Sequence, residues 1–459
     1  MSHYLANFSL NIELRIPPMP ATSNQNQSVA ITGLGVVCPL GNSAAEMWDA
    51  ISAGRSGVEP LSLLPPLEGR VRFGGEARQF TGEIDNFGDL PKDQKKAIRK
   101  ALKVMCRETM MGVAAAQQAV AHAHFSDGAI DPERAGIVFG SDYMLSPPSD
   151  FTDGMIKCGA REGEVCYEMW GHEGLAEMNP LWMLKYLPNM PASHIAILND
   201  LRGPNNSLTL REIAGLMAVR EAAQTIQRGH ADIMIAGATG TRIHSFKTVH
   251  AVQTEQLANP EYEPAAASRP FDLNRTGMVV GEGAGAIVLE ELEAAKRRGA
   301  TIYGVVVGSG SSVVTNSNLE GQRGKALANA AKSALAEAQL NAQQLGHISA
   351  HGLATTACDA EEAQALLEAL GPKASQVPVV AAKSYFGNLG AGSGIVELVA
   401  STLALHQGRL FRTLNFEVPD PQAPLAVTRD SDHSAGSSFL KLSVTPQAQA
   451  AAVVVRQAD

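Results

Sequence analysis

Cysteine and positive charge are both scarce in this chain. Its five cysteines in 459 residues, Cys38, Cys106, Cys158, Cys166 and Cys358, form no C-x-x-C pair. That argues against a disulfide framework or a thiolate zinc site and for a reducing, cytoplasmic compartment. Acidic residues (46) outnumber basic ones (37), for a formal net charge of −9, so the chain is not a generally basic nucleic-acid-coating protein. No apolar run reaches the ~18 residues of a spanning helix. The first 28 residues lack a basic stretch followed by an apolar one, so no secretory signal is expected. They carry Pro17, Pro18 and Pro20 ahead of a Ser/Asn/Gln run and read as a loose tail. What is present is globular composition, 45% hydrophobic and 18% charged.

From Val29 onward, short apolar β-branched runs alternate with longer helical patterns. Buried strands are expected at 29–37, 135–140, 233–238, 286–290, 303–308, 348–351, 377–382 and 452–455. Helices are expected at 98–123, 212–227, 324–339 and 393–407; the second ends at Arg228-Gly229 and the last at Gly408. This alternation predicts an α/β protein with mostly parallel sheets. Pro, Ala and Ser cluster over 260–275, which places a boundary between two halves, 29–265 and 266–459. The stretches 62–94 and 145–182 lack periodicity and read as capping insertions. The second holds Cys158, Cys166 and His172, whose spacing matches no metal-ligand pattern.

Five segments, in order, carry a resemblance. They are Ile31-Thr-Gly-Leu-Gly-Val-Val-Cys-Pro-Leu-Gly41; Pro188-Asn-Met-Pro-Ala-Ser-His-Ile with Gly203-Pro-Asn; Ala267-Ser-Arg-Pro-Phe-Asp272 running on to Gly281-Glu-Gly-Ala-Gly-Ala-Ile-Val-Leu-Glu-Glu291; Ala350-His-Gly-Leu-Ala-Thr355 with Asp359 and Glu362; and Ala382-Lys-Ser-Tyr-Phe-Gly-Asn388. Together they resemble the β-ketoacyl-acyl-carrier-protein synthases, elongating branch, from about residue 29 to the end. The resemblance implies a thiolase-like duplicated α/β fold in five α-β-α-β-α layers, and a dimer built on the central sheet edge. It also implies an acyl carrier protein as partner, which delivers its own phosphopantetheine, so that no cofactor is required of this chain. In the family, a Cys at a strand-to-helix turn takes the acyl chain as a thioester. Two His residues then help to decarboxylate malonyl-carrier protein and hold the enolate.

The departures from that pattern are informative. Counting back from the helix at 218–229 puts Glu212 at the nucleophile position, with Leu210, Arg211, Ile213 and Ala214 around it. The first His is His351, the second is replaced by Asn388, and the Lys is Lys383. Leu353 replaces one Thr after the first His, and Thr355 remains. The Gly-Phe-Gly-Gly gate is replaced by Ser443-Val-Thr-Pro-Gln-Ala-Gln449.

Each feature also has a plainer reading. Thr209-x-x-Glu212 fits a capping box, Asn388 precedes a helix and fits its capping turn, and His351 fits a core histidine. The family pattern suggests Lys383 paired with Glu362 to brace His351. A carboxylate cannot store an acyl group as a thiolate does, because a mixed anhydride is uphill and readily hydrolysed. Decarboxylation needs only donors aimed at the forming enolate, which His351 and Asn388 resemble. It requires Glu212 to be protonated, since an ionised carboxylate repels both malonyl and enolate.

Three readings follow. The first is a chain-length-factor-like partner of a Cys-bearing synthase, in a homodimer or heterodimer. The second is a malonyl-carrier-protein decarboxylase or other acyl-thioester enzyme using Glu212. The third is an ordinary synthase with an unrecognised nucleophile. Lys96, Arg99, Lys100, Lys103 and Arg107 recur at helical spacing, which reads either as a solvated face or as a dock for an acidic carrier protein.

Overall fold

The structure is a computed structural model that describes residues 28–64, 70–125 and 130–458. The expected tail lies outside these residues but for Ser28. Ten strands form the body: β1 (Val29–Val37), β2 (Ala135–Ser141), β3 (Asn205–Thr209), β4 (Ile233–Thr241), β5 (Glu282–Glu291), β6 (Gly304–Val313), β7 (His347–Ser349), β8 (Pro378–Val380), β9 (Ser438–Val444) and β10 (Gln449–Arg456). They order as β8-β7-β9-β10-β6-β1-β5-β4-β2-β3, with Ala426–Val427 extending the β8 edge.

Read from β1 outward, one half runs first, fifth, fourth, second, third strand. Read from β6 outward, the other half runs the same way. In both halves the first and fourth strands flank the fifth antiparallel, while the second runs parallel to the fourth and to the third. The sheets are therefore mixed, not mostly parallel as expected. Neighbouring antiparallel and parallel buried strands share the same apolar composition, so pairing direction is not written in either one. The duplication turns over between Glu291 and Gly304, where β1 meets β6 through Val29–Ile31. This lies C-terminal to the division expected at 265/266, because β5 pairs with β1 and β4.

The repeat is visible in packing as well. A Cβ on Gly33 or Gly35 of β1 would stand 2.2 or 1.9 Å from Ala119 O or Ala115 O of α2 (Arg107–His122). A Cβ on Gly308 or Gly310 of β6 would stand 2.2 Å from Ala334 O or Ala330 O of α4 (Arg323–Ala338). Each half thus seats an Ala-rich helix directly on the backbone of its first strand, which only glycine permits. Helices α3 (Ala214–Gln227) and α6 (Ser393–Gln407) pack together between the halves, and α4 with α5 (Thr356–Leu370) covers the far face. Residues 393–405 of α6 are all buried, as a middle layer requires.

The helix expected at 98–123 is broken. Helix α1 (Lys92–Ala101) runs into a 3₁₀ turn at Leu102–Val104, Met105 is extended, and α2 begins at Arg107. The break turns Arg107 inward onto Glu282, at 2.7 Å, and onto the carbonyls of Phe80 and Ala77. Residues 145–182 form short helical turns, the longest being Thr152–Lys157, with Cys158 buried and Cys166 exposed.

Candidate active site

One cavity of about 150 Å³ lies where the two halves meet. Glu212, His351, Leu353, Thr355, Cys358 and Asn388 line it, with Val444–Pro446 and Thr254–Gln256 at its sides and Arg323 beside Cys358. Of the residues selected from the sequence, Glu212, His351, Thr355 and Asn388 come together here, although 176 positions separate Glu212 from Asn388.

Glu212 sits in a 3₁₀ turn, Arg211–Ile213, between β3 and α3 and is 2% exposed. No side chain caps this turn or α3, so the capping box is not formed. Instead Glu212 Oε1 accepts from Arg242 Nη2, and more weakly from Asn388 Nδ2 at 3.4 Å. Glu212 Oε2 faces Arg211 Nε at 3.5 Å. Arg242, 1% exposed, follows β4 and also faces Asp142, the residue after β2, at 3.9 Å. Burial alone pushes the Glu212 carboxyl up. The charges of Arg242 and Arg211 outweigh it and bring the pKa from 4.5 down to about 2. Glu212 is therefore ionised, and the protonated form that decarboxylation requires is not the one this site holds.

Arg211 has a left-handed backbone, φ +51°, rare for a residue with a Cβ. That turn lets it bridge Glu255 at 3.0 Å and Gln447 at 3.4 Å. Gln447 belongs to the tight turn between β9 and β10, where Ala448 N donates to Thr445 O. The segment Ser443–Gln449 is thus the end of β9 plus a hairpin turn, pinned to Arg211.

His351 is held from behind. Its N–H and that of Gly352 donate to Glu362 at 2.6 and 2.8 Å. Lys383 Nζ donates to His351 O at 2.7 Å and approaches Nδ1 at 3.4 Å. The expected Lys383–Glu362 pair is not made: Glu362 is spent on backbone N–H groups, and Lys383 lies 2.7 Å from Glu397. Burial first, then Lys383, Lys441 and Arg323, hold the imidazole well below its usual pKa of 6.5, so it is neutral. Asp359 ties the loop to the Ser268–Asp272 motif by accepting from Phe271 N and Ala354 N. Burial, partly offset by these bonds and by Arg275, raises its carboxyl to about 7.

Asn388 meets the capping-turn reading given to it. Its Oδ1 accepts from Gly390 N and Ser393 Oγ at 3.0 Å, which starts the turn into α6. Its Nδ2 points to Glu212 and to Met278 Sδ at 3.5 Å. Both amide hydrogens are thus directed at protein atoms rather than at an enolate. Thr355 lines the cavity at the start of α5, and its carbonyl accepts from Arg275. Cys358 also lines the cavity. Burial, with Asp359 next, holds its thiol well above the usual 9, so it is not a thiolate. Lys96, Arg99, Lys100 and Lys103 are exposed on α1 and the turn after it; Arg107 is only half-buried but turned onto Glu282, away from that surface.

Several site residues escaped the sequence reading. Arg242 and Asp142 stand one residue past the ends of β4 and β2, positions that point at a site in parallel sheets. Glu397 and Lys441 lie inside a helix and a strand, and nothing in their neighbours marks them.

A duplicated thiolase-like fold with this cavity at its centre defines a ketosynthase-type protein. Residues 26–295 match the family model of the β-ketoacyl synthase N-terminal domain, and residues 303–417 that of the C-terminal domain. The chain belongs to the β-ketoacyl synthase family. It is 31% identical over 402 residues to 3-oxoacyl-(acyl-carrier-protein) synthase 2 of Synechocystis sp., covering 87% of this chain and 91% of that one. It is 32% identical over 410 residues to the tetracenomycin polyketide synthase ketoacyl synthase alpha subunit of Streptomyces glaucescens, covering 88% and 91%. Among solved structures it is similar to a type II polyketide synthase acyl-carrier protein in complex with its ketosynthase (TM-score 0.78, 26% identity). It is equally similar to the ishigamide ketosynthase/chain length factor (TM-score 0.78, 25% identity). Each alignment covers 94% of this chain and 100% of the other. The chain is thus ketosynthase-like, of the kind that serves fatty acid or polyketide synthesis. Among the described residues, no helix is long and apolar enough to cross a membrane.

Proposed function

We propose that this chain is a non-condensing, chain-length-factor-like partner of a Cys-bearing synthase. One observation carries the reading: where an acyl-accepting thiol is expected, a buried carboxylate is clamped by Arg242, Arg211 and Asn388. A clamped carboxylate is a poor nucleophile, and its acyl product would be an anhydride, not a thioester. Among the described residues, the thiol lining the cavity is Cys358, and burial holds it protonated. The decarboxylase reading loses its support, because Glu212 is ionised and Asn388 has no free amide hydrogen for an enolate. Similarity to a ketosynthase/chain length factor structure agrees with the partner role.

The test is intact mass after incubation with acyl- and malonyl-carrier protein. The expected result is no adduct and no release of carbon dioxide, together with co-purification of a co-expressed Cys-bearing synthase. An acyl adduct on any residue, or His351-dependent decarboxylation, overturns the reading.

The four exposed basic residues of α1 and its following turn are the proposed carrier dock. Reversing Lys96 and Arg99 to Glu is expected to weaken carrier-protein binding about tenfold at low salt, with the difference shrinking at high salt. Calorimetry showing equal affinity at low salt would assign the stripe to a solvated helix face.

A further inference from the structure

The cavity imidazole of His351 depends on a residue that is not among those lining the cavity. Lys441 lies in β9, fully buried, and its Nζ donates to Leu442 O at 2.6 Å and Ala350 O at 3.0 Å. It also donates to Glu397 Oε2 at 2.6 Å. The other oxygen of that carboxylate, Oε1, sits 2.7 Å from Lys383 Nζ. Lys383 in turn grips His351 O at 2.7 Å and faces Nδ1 at 3.4 Å. One buried carboxylate therefore serves two ammonium groups, and both ammoniums hold the strand end that carries His351.

We infer that Lys441 is a positioning residue for His351. By taking one oxygen of Glu397 and pinning Ala350 O, it leaves Lys383 shared between Glu397 and the imidazole. An ammonium has no acceptor, so Lys383 against Nδ1 requires a lone pair there. The neutral ring must then carry its proton on Nε2. Lys441 thereby fixes the cavity's polarity: His351 offers a ligand a standing N–H donor and no base. The ligand group it suits is an acceptor oxygen, such as the carbonyl of a thioester. Without Lys441, Glu397 is a buried anion with one cation, which draws Lys383 onto itself and away from Nδ1. The two ring tautomers then lose the bond that distinguishes them. This stands on the Lys441–Glu397–Lys383 geometry and does not require that the chain condense, decarboxylate or pair with a synthase.

The test is the ¹⁵N signature of the His351 ring, read in the full chain with His351→Gln as assignment control. The wild type is expected to show the Nε2–H tautomer alone. K441A and K441Q are expected to show an averaged pair of tautomers. Ammonium or methylammonium at millimolar concentration should return K441A to the wild-type pattern, and tetramethylammonium should not. A purely structural role for Lys441 lowers the melting temperature but leaves the ring pattern intact, and that result overturns the inference. If K441A folds only when the small amine is present, that dependence is the rescue expected. Failure of every amine to restore fold or pattern overturns it as well.

Discussion

Arg242→Ala is expected to cost this protein about 3–5 kcal/mol of stability, more than any other single change at the site. The loss comes less from the missing pair than from what is left behind. Glu212 and Asp142 would stay buried with Arg211 and Asn388 as the remaining partners near Glu212. Removing both charges of the pair should hurt far less than removing one. Arg242→Met with Glu212→Gln is therefore expected to recover most of the loss, since a buried ion pair and a packed neutral replacement are often equal. Urea denaturation of the two single variants and the double variant gives the coupling directly. Simple additivity would show that the two side chains do not form one unit. The same cycle also bears on function, because a clamp worth several kcal/mol is what keeps the carboxylate from acting as a nucleophile.

The second large effect is in acid. The Glu212 carboxyl is depressed in the folded state, from 4.5 to about 2. Such a group stabilises the fold at every pH above its unfolded value and loses that contribution as pH falls towards the folded one. The stability difference between wild type and Glu212→Gln should therefore be constant above about pH 5. It should shrink by about 3 kcal/mol between about pH 4.5 and pH 2. Glu108 and Asp359 act with the opposite sign. Burial dominates in both and raises each to about 7, so each costs stability as pH rises from the ordinary carboxylate range through 7. Subtracting the Glu212→Gln profile from the wild-type profile removes these shared terms. A difference that does not change between pH 5 and pH 2 would mean that Glu212 is not held ionised.

Much of this was open to inspection in one dimension. The ordered segments located His351, Lys383 and Asn388, because each motif ties a chemical group to backbone features such as the Gly352 turn, and counting back from the helix at 218–229 located Glu212. The alternation of apolar runs with helical patterns located most strands, because burial on both faces requires continuous apolar residues. The limits were equally physical. Strand direction depends on which neighbour a strand finds, so the mixed sheets could not be read from composition. The partner of a buried charge depends on what lies across the interior: Lys383 finds Glu397 rather than Glu362, and Glu212 finds Arg242 rather than its own helix cap. A helical charge period continued on paper through Arg107, whereas the chain breaks at Met105 and turns that guanidinium inward.

Apolar periodicity by itself determined an α/β chain, and the resemblance carried by its motifs implied the duplicated fold and singled out Glu212, His351, Thr355 and Asn388, which line one cavity. Tertiary structure alone decided the charge state of that cavity. Protonation is set by the sum of burial and neighbouring charge, and the groups that set it here, Arg242, Glu397 and Lys441, come from distant segments that only the folded chain brings within a few ångströms.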